Sequence, residues 1–237
     1  MERVTICIPA FNPTKALLYL VDELVHHDLN DIIVVNDGSE KKAEPIFKKL
    51  EQYPTVGIIH LSQNGGKGSA VKAAIQMVLE RNQKVDGIIT CGADYQHHID
   101  DILTIVKTIR LFDDGMIIGM RLPNRENRSF LYRAQVKATT LLFQMLFKRQ
   151  LLDFQSGLRF YPYYMLSWIY HCAGNNYLFD TNVVIEAIQR NVPIYELPIG
   201  KMRITKSSFL HYDELSHPTI LANHLVKTYL KNAKPFK

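Results

Sequence analysis

Cysteine and tryptophan are scarce: three of one and one of the other in 237 residues. Cys7, Cys91 and Cys172 are far apart and odd in number, which argues against a disulfide framework or a cysteine zinc site. Cys7 and Cys91 fall inside apolar runs, so buried free thiols in a reducing compartment are expected. Long apolar runs are missing too. The longest candidate, "TTLLFQMLF" (139–147), is half of the roughly 18 residues that span a bilayer. The opening "MERVTICIPAFN" carries an apolar run of strand length only, unlike a secretory leader. Excess charge is small, +5, too little to mark a nucleic-acid binder but compatible with an anionic small substrate or an acidic membrane surface. Repeats, low-complexity stretches and linkers are also lacking. These absences lead us to expect one domain, 1–237, in a soluble cytoplasmic protein.

What is present is globular: 47% hydrophobic and 22% charged residues, enough for a substantial core. Short β-rich runs, "VTICIP" (4–9), "DIIVVN" (31–36), "VGIIHL" (56–61), "GIITC" (87–91) and "GMIIGM" (115–120), alternate with segments of helical spacing. That alternation predicts βαβ units and a mostly parallel sheet covered by helices on both faces. After residue 121 the pattern loosens into an arginine-rich loop, a long amphipathic helix, "DFQSGLRFYP", two further helices and a last β-run, "PIYELPI". Sheets of this kind bind ligands beyond the carboxyl ends of their strands. The chemistry is therefore to be sought at the end of each run.

Those ends are polar. "VVNDGSE" puts Asp37 at a strand end, where it can accept hydrogen bonds from a base or ribose; turn chemistry with Ser39 as a helix cap is the plainer alternative. "NGGKGSA" offers backbone amides and Lys67 to a phosphate, although Gly68 after the lysine rules out a Walker motif; a flexible turn is the alternative. "GADYQHHIDDI" places Asp94 and Gln96 with alternate spacing. Hard divalent cations take such oxygen ligands together with substrate phosphates, whereas zinc-like spacing is not met by His97 and His98. Asp100 and Asp101 suit the positive start of the next helix. In "DFQSGLRFYP", Asp153 is placed to act as a general base and Arg159 as an anion clamp, or the two brace a turn as an internal pair.

In order along the chain, "IPAFN" (8–12), "VVNDGS" (34–39), "NGGKGSA" (64–70), "ADYQH" (93–97), "DFQSGLR" (153–159) and "IEAIQRNVPIYELPI" (185–199) closely resemble the family 2 glycosyltransferases. The resemblance is strongest to the dolichyl- and polyprenyl-phosphate sugar transferase branch. It covers roughly residues 4–200. It implies an α/β GT-A fold, the nucleotide-diphospho-sugar transferase fold, with a nucleotide-binding half about 1–121 and an acceptor half about 122–237. It further implies an inverting transfer from a UDP- or GDP-linked sugar, with Mg²⁺ or Mn²⁺, to a glycan or polyprenyl-phosphate in cell-envelope polysaccharide or glycolipid synthesis. Carried over by position, Pro9, Ala10, Asn12, Asp37, Lys67 and Asp94 line the nucleotide site. Asp94 and Gln96 meet the metal, and Asp153 is the catalytic carboxylate. Arg121, Arg133, Arg203 and Lys206 meet the acceptor or a phosphate.

Four departures from the family pattern narrow this. Gly92 stands where the first acid of Asp-x-Asp is usual, and Pro13 where Glu is usual. The branch's Arg-x-x-x-Ser appears here as Arg133-Ala-Gln-Val-Lys137, and the C-terminal membrane hairpins of many relatives have no counterpart. Gly92 is the best support for an alternative: a catalytically weakened pseudo-glycosyltransferase that binds nucleotide-sugar or scaffolds a partner. A sugar nucleotidyltransferase is disfavoured because "PAFNP" lacks a glycine-rich, basic loop after the first strand. The ending "HLVKTYLKNAKPFK" is amphipathic and lysine-bearing, so peripheral contact with the inner face of a membrane is weighed against ordinary helix packing. No nucleic-acid partner is expected, and a homo-oligomer is left open.

Overall fold

The structure is a computed structural model that describes residues 3–81, 85–121, 130–200 and 218–232. Seven strands form one sheet: β1 (Val4–Ala10), β2 (Ile32–Asn36), β3 (Val56–His60), β4 (Gly87–Thr90), β5 (Met116–Arg121), β6 (Arg159–Pro162) and β7 (Ile194–Ile199). Their order is β3-β2-β1-β4-β6-β5-β7. All neighbours are parallel except β6, which runs antiparallel to both β4 and β5. The expected alternation of strand and helix is borne out over the first 121 residues, within a residue or two at most boundaries. β6 was not expected as a strand: it is only four residues long, starts on an arginine and ends on a proline.

Period-2 alternation sends successive strand side chains to opposite faces. On one face Cys7, Ile33, Val35, Ile88, Ile118 and Tyr161 form a core with the helices α3 (Lys67–Glu80), α6 (Tyr163–His171) and α7 (Leu178–Gln189). On the other, Ile6, Ile8, Ile32, Val34, Ile89, Ile117 and Phe160 pack under α1 (Ala16–His26), α2 (Glu44–Leu50) and α4 (Ile99–Thr108). A fully buried Val, Leu or Ile contributes about 1.5–3 kcal/mol, so both layers are firmly attached to the sheet.

The long helix α5 (Phe130–Phe147) and the C-terminal helix α8 (Pro218–Asn232) pack on each other, burying Phe143, Leu221 and Leu225. For the amphipathic ending this is the helix-packing alternative. Ile220, Tyr229 and Leu230 of α8 stay exposed. Among the described residues no helix is long and apolar enough to cross a membrane.

The strand order decides where ligands go. The chain runs outward from β1 through β2 to β3, then returns to place β4 on the other side of β1. Between β1 and β4 the sheet therefore has a topological switch point, and the loops leaving those two strands diverge to open a crevice. The loop after β1 carries Asn12; the loop after β4 carries Gly92, Asp94 and Gln96.

Candidate active site

A cleft of about 460 Å³ opens at this switch point. Pro9, Ala10, Asn12, Asp37, Lys67, Asp94, Gln96, Arg121 and Asp153 all line it, although they are spread over 145 positions of sequence. Arg133 falls within α5 with its side chain outside the described residues, and Arg203 and Lys206 lie outside them altogether.

At one end the backbone is built around Asp37. Its two carboxylate oxygens accept the N–H groups of Gly65 (2.8 Å) and Gly66 (2.9 Å), which clamps the "NGGKG" loop against β2. Gly38 has φ +65, and a Cβ there would stand 2.3 Å from the backbone of Asn64, so only glycine permits the two loops to meet. Ser39 does not cap a helix. Its hydroxyl instead accepts the N–H of Asn12 (2.9 Å), while Asn12 and Glu40 exchange a pair of hydrogen bonds. Asp37 is thus more than turn chemistry: it organises the floor on which a ligand would rest.

The glycine loop leads into α3, whose first residue is Lys67. The Lys67 ammonium pairs with Asp180, in the first turn of α7 and 6% exposed. Gly66 and Gly68 press against Asn175 and Phe179, and Ser69 donates its N–H to the Asn175 carbonyl (3.0 Å). Two loops more than 100 residues apart are therefore docked as one wall.

The loop after β4 also lines the cleft. Gln96 donates its amide N–H to Asp94 Oδ2. A Cβ on Gly92 would stand 2.9 Å from Asp94 Oδ1, so the absent side chain is the space into which the Asp94 carboxylate folds. Beside them His97 is buried, with Nδ1 lacking a hydrogen-bond partner among the described residues. Burial first, then the positive charges of Arg121 and Lys67, push its pKa down to about 4, so the ring is neutral at physiological pH. Asp100 and Asp101 occupy the first turn of α4 as expected, and Asp101 also accepts the N–H of Gly200 (2.8 Å), tying that turn to the end of β7.

The residues present fit a divalent cation of one kind only. Among the described residues no cluster of three or more His, Cys, Asp or Glu could hold a metal, which argues against an all-protein cage. One carboxylate and an adjacent amide match a hard cation shared with a ligand's phosphates.

The third wall belongs to Arg121 and Asp153. Arg121 grips Asp153 through its backbone N–H (3.0 Å), Nε (2.5 Å) and Nη2 (2.6 Å). Glu196 of β7 in turn accepts the N–H groups of Leu152 (2.9 Å) and Asp153 (2.7 Å), holding the carboxylate's backbone. Arg159 does brace the 153–159 turn, but not by pairing with Asp153. Fully buried, it donates Nε to the Ser156 carbonyl (2.6 Å), Nη2 to Phe154 (2.6 Å) and Nη1 to Asp180 (2.7 Å). Asp180, Glu196 and Thr181, which also lines the cleft, escaped sequence reasoning. Asp180 reads as an acid serving a helix start and Glu196 as an outward strand residue, with no local signal that either approaches a site.

Comparison with known proteins bears on the family and the fold. An uncharacterised protein of Methanocaldococcus jannaschii is 27% identical over 202 residues, covering 84% of this chain and 81% of that one. The UDP-N-acetylglucosamine–dolichyl-phosphate N-acetylglucosaminyltransferase of Methanococcus voltae is 29% identical over 175 residues, 67% of this chain and 68% of its own. Among solved structures, glucosyl-3-phosphoglycerate synthase of Mycobacterium tuberculosis superposes with TM-score 0.69 at 15% identity, covering 99% of this chain and 82% of that one. The same enzyme crystallised with Mn²⁺, UDP and phosphoglyceric acid gives TM-score 0.67 at 14% identity, over 97% and 78% of the two chains. The fold is thus GT-A, as the resemblance implied. The model of glycosyl transferase family 2 matches residues 5–168, most of the chain, and this protein is a glycosyltransferase belonging to that family.

Proposed function

We propose that the protein transfers a sugar, with inversion, from a nucleoside-diphosphate donor to a polyprenyl-phosphate acceptor, using a divalent cation. The observation that carries this reading is that two unlike pairs, Asp94 with Gln96 and Arg121 with Asp153, line one cleft. Neighbours solved with UDP and Mn²⁺, and a relative named for a dolichyl-phosphate acceptor, support it.

In this reading Asn12 and the loop held by Asp37 seat the nucleoside, and Pro9 and Ala10 form the apolar floor beside it. Asp94 and Gln96 would hold a divalent cation beside the diphosphate. When bound, that cation offsets the negative charge developing on the leaving group. Lys67 adds a fixed positive charge along the same wall. The acceptor oxygen attacks the anomeric carbon from the opposite face.

The grip of Arg121 on Asp153 favours an anionic acceptor. The carboxylate's lone pairs point at Arg121, so Asp153 is better placed to aim the guanidinium than to take a proton from a hydroxyl. A phosphate oxygen is already a nucleophile and needs positioning, which a bidentate arginine supplies. This revises the general-base role expected for Asp153. Both the nucleotide half and the acceptor half contribute strands to one sheet, and residues of both line the cleft.

The test is calorimetric. UDP or GDP binds more tightly with Mn²⁺ than without, and Asp94→Ala removes the difference; an unchanged metal effect in that variant refutes the assignment. Release of nucleoside diphosphate on adding a polyprenyl phosphate separates an enzyme from a binding module.

A further inference from the structure

One charged residue of the cleft has no part in the scheme above. Asp180 has one carboxylate oxygen, Oδ2, on Lys67, while Oδ1 is buried without a hydrogen-bond partner among the described residues. A carboxylate in the first turn of a helix gains from the helix dipole, but that gain requires neither burial nor a lysine partner. Leaving a charged acceptor buried and half satisfied costs free energy, so the position calls for a ligand that completes it.

The chemistry of the surroundings selects that ligand. A phosphate is disfavoured, because it would bring negative charge against a carboxylate. A second cation is redundant, because Lys67 already neutralises the charge. What remains is a neutral hydrogen-bond donor, and Thr181 next in sequence adds a further polar group to the wall.

Location points the same way. A Cβ on Gly157 would stand 2.9 Å from Lys67 Nζ, so the Lys67–Asp180 pair sits over the turn that begins at Asp153. Lys67, Arg121, Asp153 and Asp180 all line the same cleft. Asp180 therefore faces the part of the cleft where the diphosphate ends, not the nucleoside end held by Asp37. Its backbone is fixed by the Arg159 bond to its carbonyl, so the carboxylate is presented at a set height.

We propose that Asp180 Oδ1, oriented by Lys67, accepts a hydrogen bond from a hydroxyl of the transferred sugar, making Asp180 a residue that sets donor-sugar specificity. The inference rests on the nucleotide-sugar reading above. The sugar hydroxyl would supply the donor that Oδ1 lacks. Sites built to bond a substrate hydroxyl reject analogues lacking it, because the buried acceptor is then left unmet.

Binding of UDP and of UDP-glucose, and in parallel GDP and GDP-mannose, is measured with Mn²⁺ on wild type and Asp180→Asn. The expected result is a free-nucleotide Kd within threefold of wild type and a nucleotide-sugar Kd raised tenfold or more. Equal weakening of both, or of neither, overturns the proposal and leaves Asp180 a structural residue. Should Asp180→Asn fail to fold, the wild type is titrated with 2-, 3-, 4- and 6-deoxy sugar nucleotides. Loss of tenfold or more at one ring position supports the proposal; losses within threefold at every position overturn it. If the wild type binds none of these nucleotides or nucleotide-sugars, the nucleotide-sugar reading itself fails, and this inference with it.

Discussion

Replacing Arg159 by methionine tests how the acceptor-side turn is held. The substitution keeps most of the side chain's apolar length and removes three donors from a fully buried place. Two effects oppose each other. Deleting a buried charge relieves its desolvation, which amounts to several kcal/mol for an isolated ion. Against this, the carbonyls of Phe154, Ser156 and Asp180 lose charge-assisted bonds of 2.6–2.7 Å and have no water to turn to. An acceptor left buried and unmet costs about 1–3 kcal/mol.

Burial pulls the Arg159 pKa down, yet nearby Tyr161 and Asp180 outweigh it and the net shift is upward. The surroundings thus favour the charged form, and the loss of the three bonds should win. A net destabilisation of about 3–5 kcal/mol is expected, the range for breaking a buried polar network. Urea unfolding followed by circular dichroism reads it as a lower midpoint at unchanged slope. Arg159→Lys, with one ammonium for three separated carbonyls, should recover less than half. A methionine variant within about 0.5 kcal/mol of wild type would refute the reasoning, because desolvation relief would then equal everything the bonds contribute.

Gly92→Asp should lower the melting temperature of the metal-free protein, because its Cβ would stand 2.9 Å from Asp94 Oδ1 and set two carboxylates together. Added Mn²⁺ with UDP should restore it; thermal shift with and without metal checks both halves. Glu196→Gln leaves one oxygen for the Leu152 and Asp153 N–H groups and should cost about 1–2 kcal/mol. In steady-state kinetics it should lower kcat while leaving donor KM unchanged; the opposite split removes Glu196 from positioning Asp153. The three free thiols should resist alkylation at pH 8 in the native protein and label on unfolding. Burial pushes Cys91 up to about 12, so at pH 8 only about 1 in 10⁴ of it is thiolate.

The βαβ part of the fold was legible because it rests on local periodicity: alternating Ile and Val in β1 and β2, and helical spacing in α1, α3 and α4, appear within windows of a dozen residues. β6 was not, because its identity comes from pairing with β4 and β5 on both sides, not from its own four residues. Lys67 and Asp153 were singled out from their motifs. That Lys67 would pair with Asp180, and Asp153 with Arg121, was invisible, since each pairing depends on a contact across the fold.

The sequence by itself determined the α/β class, the family and a set of residues for one site, since strand-end chemistry and ordered motifs are written in contiguous residues. Only the tertiary structure decided that the described members of that set share one cleft, that Gly92 is the space occupied by the Asp94 carboxylate, and that Asp180 enters the cleft half satisfied. Each of those is fixed by approach distances between segments far apart in the chain, which a linear pattern does not encode.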